Sequence, residues 1–462
     1  MTLHRASRNT LALVMLGLPA VAGAQAFGLN EIGSCALARG FAVTGAPCAD
    51  PSSIYWNPAA MPKARGLTTL AGAAIIKIDA DFTRDSSFTR YEGDIPTAVV
   101  PHLFLNYRGA GKLAYGLGLY VPYGLTSQWK DDFPGRFSAK KASLQTIYVQ
   151  PNLSYQITDN WSIGGGPVIG RSSVELIQAL DLSSQSPQPG VTFGQLGFAK
   201  YTEFGRATLT GSAMAYGFNF GLHGKFSKNW ELGLRLLSQL SFNYDDADVV
   251  FTQTPTGITL AQQNPLRAPP GTQLDAVLAP QFSTVLVDQK VSTQIRHPAQ
   301  VQLGFGYSGF ENVTLSADYA YVGWKSFNSL PVNFQGPAAG NSRVLQEDYN
   351  NTSSLRLGAE RRFMSGSALR VGFSAAASAA PPETVTPLLP EMDRQLGMIG
   401  GFLPLTAKLG LDATYAHIFT PGARGRTDER AAVSTITQAI ALNNGAYTLK
   451  ANILSLSLKY AF

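Results

Sequence analysis

The chain has 462 residues, of which 14% are charged and 10% are aromatic, with 46 glycines and a formal net charge of +6. An exported chain with so few charges would be poorly soluble unless something apolar covers its outside, and lipid is the natural cover. The basic residues are scattered rather than clustered, so the sequence predicts no nucleic-acid partner.

The first 26 residues have the three parts of a secretory signal peptide. A basic start precedes an apolar run from 11 to 22, and small-x-small cleavage sites end at Ala24 and Ala26. A membrane-anchoring helix is the alternative, but the run is shorter than the roughly 20 residues that such a helix needs. We therefore predict a signal peptide at 1–26 and an exported mature chain.

Residues 27–66 show no strand-like alternation and contain both cysteines. A segment of this length suits an N-terminal plug folded into the lumen of a barrel. In an exported protein, Cys35 and Cys48 are expected to form a disulfide that stiffens the plug. A lipoprotein signal ending at Cys35 is a less favoured alternative because polar residues precede it, and a metal or redox site is less favoured still.

Strand-like alternation continues through residues 67–462. Apolar side chains occupy every second position from 454 to 462, and the same pattern recurs at 230–236, 313–321 and 409–415. A soluble sandwich is the alternative, but repeats of about 9 residues or more suit tilted strands that cross a bilayer. Six short turns alternate with seven longer loops, which predicts an all-β fold: a 14-stranded antiparallel transmembrane β-barrel in the outer membrane of a Gram-negative bacterium.

The third predicted strand contains features that weaken strand pairing. Pro122 removes a ladder hydrogen bond, and Gly124 follows within the same strand. The sequence thus predicts a lateral opening in the wall at these two residues. The alternative is that Pro122 merely marks the outer end of the strand.

Two of the predicted outer loops carry apolar residues that would be costly to expose. We expect Leu176 and Leu180 in the third loop, and Leu278 and Phe282 in the fourth, to contact a hydrophobic substrate. The alternative is that these residues pack on one another and close the top of the barrel.

The order of several short motifs resembles the FadL/TodX-type family of outer-membrane transporters for fatty acids and hydrocarbons. The motifs run over most of the mature chain, although the cysteine pair and Pro51 depart from the usual family pattern. They are Phe27-Gly28-Leu29-Asn30-Glu31, Asn57-Pro58-Ala59, Tyr123-Gly124-Leu125 and Leu389-Pro390-Glu391-Met392-Asp393-Arg394.

The resemblance implies passive transport of hydrophobic small molecules, which are captured at the outer loops, pass a plug (hatch) and leave sideways into outer-membrane lipid. It implies substrate contacts at Phe27 and Leu29. For Asn57, Pro58 and Ala59, a purely structural tight turn is the alternative to a role in gating. Long-chain fatty acids are the favoured substrate, and monoaromatic or alkane hydrocarbons the alternative.

A fatty-acid carboxylate would need a basic partner inside the barrel. By alternation, the candidates are Arg171, Arg235, Arg356 and Arg362.

Other functions fit the sequence less well. Its histidines lie outside any recognisable nucleophile motif, so we expect no catalytic residue, and no motif implies a cofactor. A general porin needs an open lumen, which the plug opposes, and the loops are too short for the folded binding module of an adhesin. The C-terminal strand ending in Phe462 is the expected contact with the barrel-assembly machinery.

Overall fold

The computed structural model describes residues 26–61, 65–187, 190–425 and 444–462. The predicted signal peptide therefore lies outside the described residues except for Ala26. Much of the predicted loop before the last strand also lies outside them. Among the described residues, no helix is long and apolar enough to cross a membrane.

Fourteen strands form the wall of the barrel, and each pairs antiparallel with the next. In chain order they are Gly66–Arg84, Ala98–Arg108, Leu113–Gln128, Lys141–Gln156, Trp161–Asp181, Glu203–Lys225, Trp230–Leu237 continued by Leu240–Gln253, Gln289–His297 continued by Gln300–Phe310, Val313–Val322, Thr352–Arg362, Ala368–Ala376, Arg394–Pro404, Leu409–Phe419 and Gly445–Ala461. The first strand pairs with the last over its whole length, from Thr68 opposite Ala461 to Arg84 opposite Gly445. This closure confirms the predicted 14-stranded antiparallel barrel.

Alternation along the strands separates a lipid-facing surface from the interior. In the last strand, Leu454 and Leu456 are 46% and 43% exposed, whereas Ser455 and Ser457 are fully buried. Pairing of the first strand with the last satisfies backbone polar groups that would find no water within the bilayer.

The plug, residues 26–61, lies inside the barrel and is almost entirely buried. Its regular elements are the short helices Ser34–Ala38 and Ser53–Trp56 and the 3₁₀ turn Pro58–Ala60. The sulfur atoms of Cys35 and Cys48 are bonded to each other within it. Cys35 is also 2% exposed, so no free thiol is available there for a lipid anchor.

The longer loops carry further short elements. These are the strands Arg90–Glu92, Ser329–Phe334, Arg343–Gln346 and Ala423–Gly425, the helix Leu274–Leu278, and the 3₁₀ turns Pro134–Phe137, Leu182–Ser184, Ala279–Ser283, Trp324–Phe327, Ala339–Asn341 and Pro382–Thr384. Ser329–Phe334 and Arg343–Gln346 form a hairpin that pairs with the outer half of the eighth barrel strand.

Candidate functional site

The wall has a break in strand pairing between the second and third strands. Their ladder runs from Arg108 opposite Ala114 as far as His102 opposite Tyr120 and stops there. On its other side, the third strand carries an extra residue between Tyr120 and Tyr123, which is a bulge. The third strand nevertheless continues to Gln128, so the alternative that it ends at Pro122 is wrong.

The beginning of the plug occupies this break as a short extra strand. The N–H of Leu29 donates to the carbonyl of Pro122 over 2.8 Å, and the N–H of Gly124 donates to the carbonyl of Phe27 over 2.9 Å. A Cβ at position 124 would lie 2.9 Å from the end of the Leu29 side chain, so the two segments approach closely at this glycine. The predicted residues of the lateral opening thus contact the predicted residues of the plug.

The loop before the twelfth strand fixes the first described residue. The N–H of Ala26 donates to the Glu391 carboxylate over 2.9 Å, and Arg394 donates to the carbonyl of Ala26 and to Glu391. Burial raises the pKa of Glu391, and Arg394 offsets part of this effect. Ala26, expected at the end of the signal peptide, is therefore packed into the folded protein.

The Phe27 ring is enclosed by aromatic side chains of the wall and loops. Its centroid lies 4.8 Å from that of Trp324, 5.1 Å from Phe327 and 5.9 Å from Tyr123. Phe27 is 3% exposed and is one of the residues that line an apolar pocket.

The apolar pocket lies inside the outer half of the barrel, next to the break in the wall. Its lining includes Phe27, Leu125, Leu144, Val174, Leu176, Ile295, Leu330, Val332 and Leu389. Lysine and arginine do not occur among the lining residues. A pocket of this character suits a hydrophobic molecule.

The structure separates the predicted apolar contacts into two sets. Leu176 lines the pocket with Phe27, whereas Leu180, Leu278 and Phe282 belong to a distinct apolar cluster among the outer loops. That cluster agrees with the alternative in which loop residues pack on one another. The prediction that Leu176 and Leu180 lie in a loop was wrong, because the fifth strand continues to Asp181.

The Asn57 turn is held between the plug and the wall. The Asn57 amide donates to the carbonyls of Thr44 and Leu222 over 2.8 and 3.1 Å, and its Oδ1 accepts from the N–H of Ala59. Pro58 and Ala59 then form a 3₁₀ turn against the fourth, fifth and sixth strands. These contacts tie the folded plug to the barrel.

The four arginines predicted to bind a carboxylate do not line the apolar pocket. Arg171 is exposed on the outward face of the wall, whereas alternation predicted that it faces the lumen. Arg362 is exposed and forms an ion pair with Glu360. Arg235 and Arg356 are buried beside plug aromatic rings: the Arg235 guanidinium lies 4.1 Å from the Tyr55 ring centroid.

One histidine lies close to a serine in the barrel interior. His102 Nε2 is 2.8 Å from Ser457 Oγ, and the hydroxyl of Ser34 in the plug also bonds to Ser457. All three side chains are nearly fully buried between the plug and the wall. The pair therefore contributes to the contact between plug and wall.

Comparison with known proteins identifies the family. The sequence profile of the family described as Outer membrane protein transport protein (OMPP1/FadL/TodX) matches residues 16–462. The chain belongs to this family.

Members of the family from other bacteria match the chain over nearly their whole length. Outer membrane protein P1 of Haemophilus influenzae is 24% identical, with 99% of each chain covered. A long-chain fatty acid transport protein of Escherichia coli is 23% identical, with 89% of this chain and 91% of the relative covered. The family is one of outer-membrane transport proteins, which places this barrel in the outer membrane of a Gram-negative bacterium.

Solved structures of the family have the same fold. A FadL homologue of Pseudomonas aeruginosa superposes with a TM-score of 0.76 at 21% identity, covering 95% of this chain and 100% of that one. The toluene transporter TodX of Pseudomonas putida superposes with a TM-score of 0.67 at 16% identity, with the same coverage.

Proposed function

We propose that this protein mediates passive uptake of hydrophobic small molecules across the outer membrane, with long-chain fatty acids as the favoured substrate, and that it catalyses no reaction. The observation that carries the proposal is the apolar pocket beside a break in the wall, in which the start of the plug pairs with the third strand. Substrate is captured among the apolar residues of the outer loops and moves from there into the pocket.

Passage from the pocket requires the start of the plug to move. Phe27 lines the pocket, and Leu29 pairs with Pro122 in the break. Two main-chain hydrogen bonds hold this pairing, and each contributes roughly 0.5–1.5 kcal/mol. A bound alkyl chain that takes the place of the Phe27 ring would therefore release the pairing that closes the wall.

Release into the membrane follows from the same geometry. Once the break is open, the pocket faces the lipid beside Val121 and Leu125. Each CH₂ group favours an apolar environment over water by about 0.8 kcal/mol, so a long alkyl chain partitions strongly into the bilayer. Sideways release spares the substrate a route through the polar contacts between the plug and the wall.

A hydrocarbon channel is the second candidate. The absence of lysine and arginine from the pocket lining favours it, because a neutral molecule needs no basic partner. Uptake of labelled palmitate and of labelled toluene, by cells that lack their own hydrophobic transporter, separates the two candidates. Saturable palmitate uptake supports the fatty-acid proposal, and toluene uptake alone supports the hydrocarbon channel.

The lateral route is tested by closing the break. In the Pro122→Val, Gly124→Val variant, position 122 gains an N–H for strand pairing, and position 124 gains a side chain within the break. We expect several-fold slower uptake at equal surface abundance. The matched control is Pro151→Val, at an exposed strand proline where pairing is continuous on the third-strand side. Uptake equal to that of the parent in the double variant would exclude the lateral route.

A further inference from the structure

The sequence contains two sites at which a signal peptidase can cut. The enzyme requires a small residue directly before the cut and another small residue two positions further upstream. Ala22 and Ala24 meet this requirement for a cut after Ala24, and Ala24 and Ala26 meet it for a cut after Ala26. The mature chain begins at Gln25 in the first case and at Phe27 in the second.

The folded protein uses both main-chain polar groups of Ala26. Its N–H donates to the Glu391 carboxylate over 2.9 Å, and its carbonyl accepts from the Arg394 guanidinium over 3.2 Å. Ala26 is 3% exposed and Glu391 is 0% exposed, so neither residue is open to water. Ala26 is therefore part of the packed interior.

The backbone conformation of Ala26 also depends on its surroundings. Its φ is 44°, in the left-handed region that is unfavourable for a residue with a Cβ. Such a conformation persists only where the surrounding structure holds it. The bonds to Glu391 and Arg394 provide this hold.

A cut after Ala26 would leave two charged groups with fewer partners. The Nε of Arg394 already finds no acceptor among the described residues, and the guanidinium would also lose the carbonyl of Ala26. The new α-ammonium group of Phe27 could donate to Glu391, but it supplies no acceptor for Arg394. Buried charged groups that lack partners are costly, whereas a cut after Ala24 keeps both bonds of Ala26.

We propose that signal peptidase cuts this chain after Ala24, and that the retained main chain of Ala26 anchors the start of the plug. Hydrolysis adds one water across the Ala24–Gln25 peptide bond, which leaves a carboxylate on the signal peptide and an α-amino group on Gln25. The anchor directly precedes Phe27, whose carbonyl accepts from Gly124 in the break. Cleavage at this bond therefore leaves the segment that closes the break fixed at its beginning, whatever substrate the barrel transports.

Intact-mass spectrometry of the purified mature protein identifies its first residue directly. We expect a chain that begins at Gln25, with or without the loss of ammonia, because an N-terminal glutamine cyclises readily. A chain that begins at Phe27, or at any other residue, would overturn the proposed cleavage site.

Two deletions test the anchor, each with the parental signal peptide ending at Ala24. Deleting Gln25 and Ala26 together makes Phe27 the first residue. The matched control is deletion of Gln25 alone, which leaves Ala26 first with an amino group that still donates to Glu391. The first residue of each purified protein is verified by mass, and hydrogen exchange is then followed at Leu29 and Gly124, whose N–H groups form the two bonds across the break.

Loss of hydrogen bonds to charged groups should speed this exchange by about tenfold or more in the two-residue deletion. The deletion of Gln25 alone should exchange as the parent does, and exchange from the last barrel strand should be the same in all three proteins. Equal exchange at Leu29 and Gly124 in the parent and the two-residue deletion would overturn the anchoring role of Ala26.

Discussion

Polar side chains on the inner wall hold the plug by its main chain. Gln150 donates to the carbonyl of Ile54 over 2.9 Å, and Asn152 donates to the carbonyl of Pro58 over 3.1 Å. Short plug segments cannot pair their own backbone groups as long helices or sheets do, and buried unpaired carbonyls are costly. The inward side chains therefore supply hydrogen bonds to plug carbonyls that the plug's own secondary structure does not provide.

Asn57 gives a prediction at this scale. Replacing it with alanine removes two donated bonds and leaves the buried carbonyls of Thr44 and Leu222 each without this partner. We expect the free energy of local plug opening to fall by about 1–3 kcal/mol. Hydrogen exchange of peptides covering residues 34–60 measures this change.

The control for this prediction is Asn160→Ala, an exposed asparagine in a short turn of the barrel. Exchange from the barrel strands should be the same in both variants and in the parent. Unchanged exchange from the plug in Asn57→Ala would mean that these bonds contribute little to its stability.

Local sequence predicts the strands and their connections. It does not predict that the start of the plug occupies the break between the second and third strands. Alternation and polar turns act over a few residues, which is why the strand count was predicted. The pairing of Phe27 and Leu29 with the third strand joins distant segments and has no local signal. Alternation also fails to indicate where a strand ends. The fifth strand continues through Leu176 and Leu180, which the sequence pattern places in a loop.

The candidate functional residues likewise divide into those with a local sequence signal and those that depend on contacts between distant segments. Phe27 and Leu176 were predicted and share the pocket, but Leu330 and Val332 were missed because they reach the pocket only when their loop folds back onto the eighth strand. Composition and periodicity carry no such information. Arg171 was misplaced because a single-residue shift in register reverses which face a side chain occupies.

The last strand gives a prediction at the scale of an element. Phe462 is 64% exposed; its N–H donates to the carbonyl of Leu67, and its ring contacts that of Tyr460. Deleting Phe462 should lower the amount of folded barrel in the outer membrane if the residue is recognised during assembly. The shift of folded barrel on unheated gels measures this amount.

Two controls isolate recognition from stability. Phe462→Trp keeps a large aromatic end and should assemble as the parent does. Purified protein without Phe462 should refold into detergent at the parental rate, because the residue contributes few contacts to the finished barrel. Equal assembly of the deletion variant in cells would contradict a role for this residue in recognition.

At the scale of the whole molecule, the plug occupies the lumen of the barrel and also forms part of its wall. Most of it is tied to the inner wall, while its first residues replace the missing pairing between the second and third strands. Phe27 lines the pocket and also accepts a hydrogen bond from Gly124 in the break, so substrate binding and closure of the wall depend on the same few residues. The central claim is that these residues must leave the break for transport to occur.

A reversible covalent lock tests this claim most directly. Gly28 and Tyr123 are opposed between the two hydrogen bonds of the extra strand, where Cα atoms lie about 4.5 Å apart and a disulfide fits. Palmitate uptake is measured for a Gly28→Cys, Tyr123→Cys variant before and after reduction, with each single variant and the parent treated alike. The account predicts that the oxidised double variant transports far more slowly than the reduced one, while the other proteins respond little to reductant. Equal uptake by the oxidised and reduced double variant would contradict it.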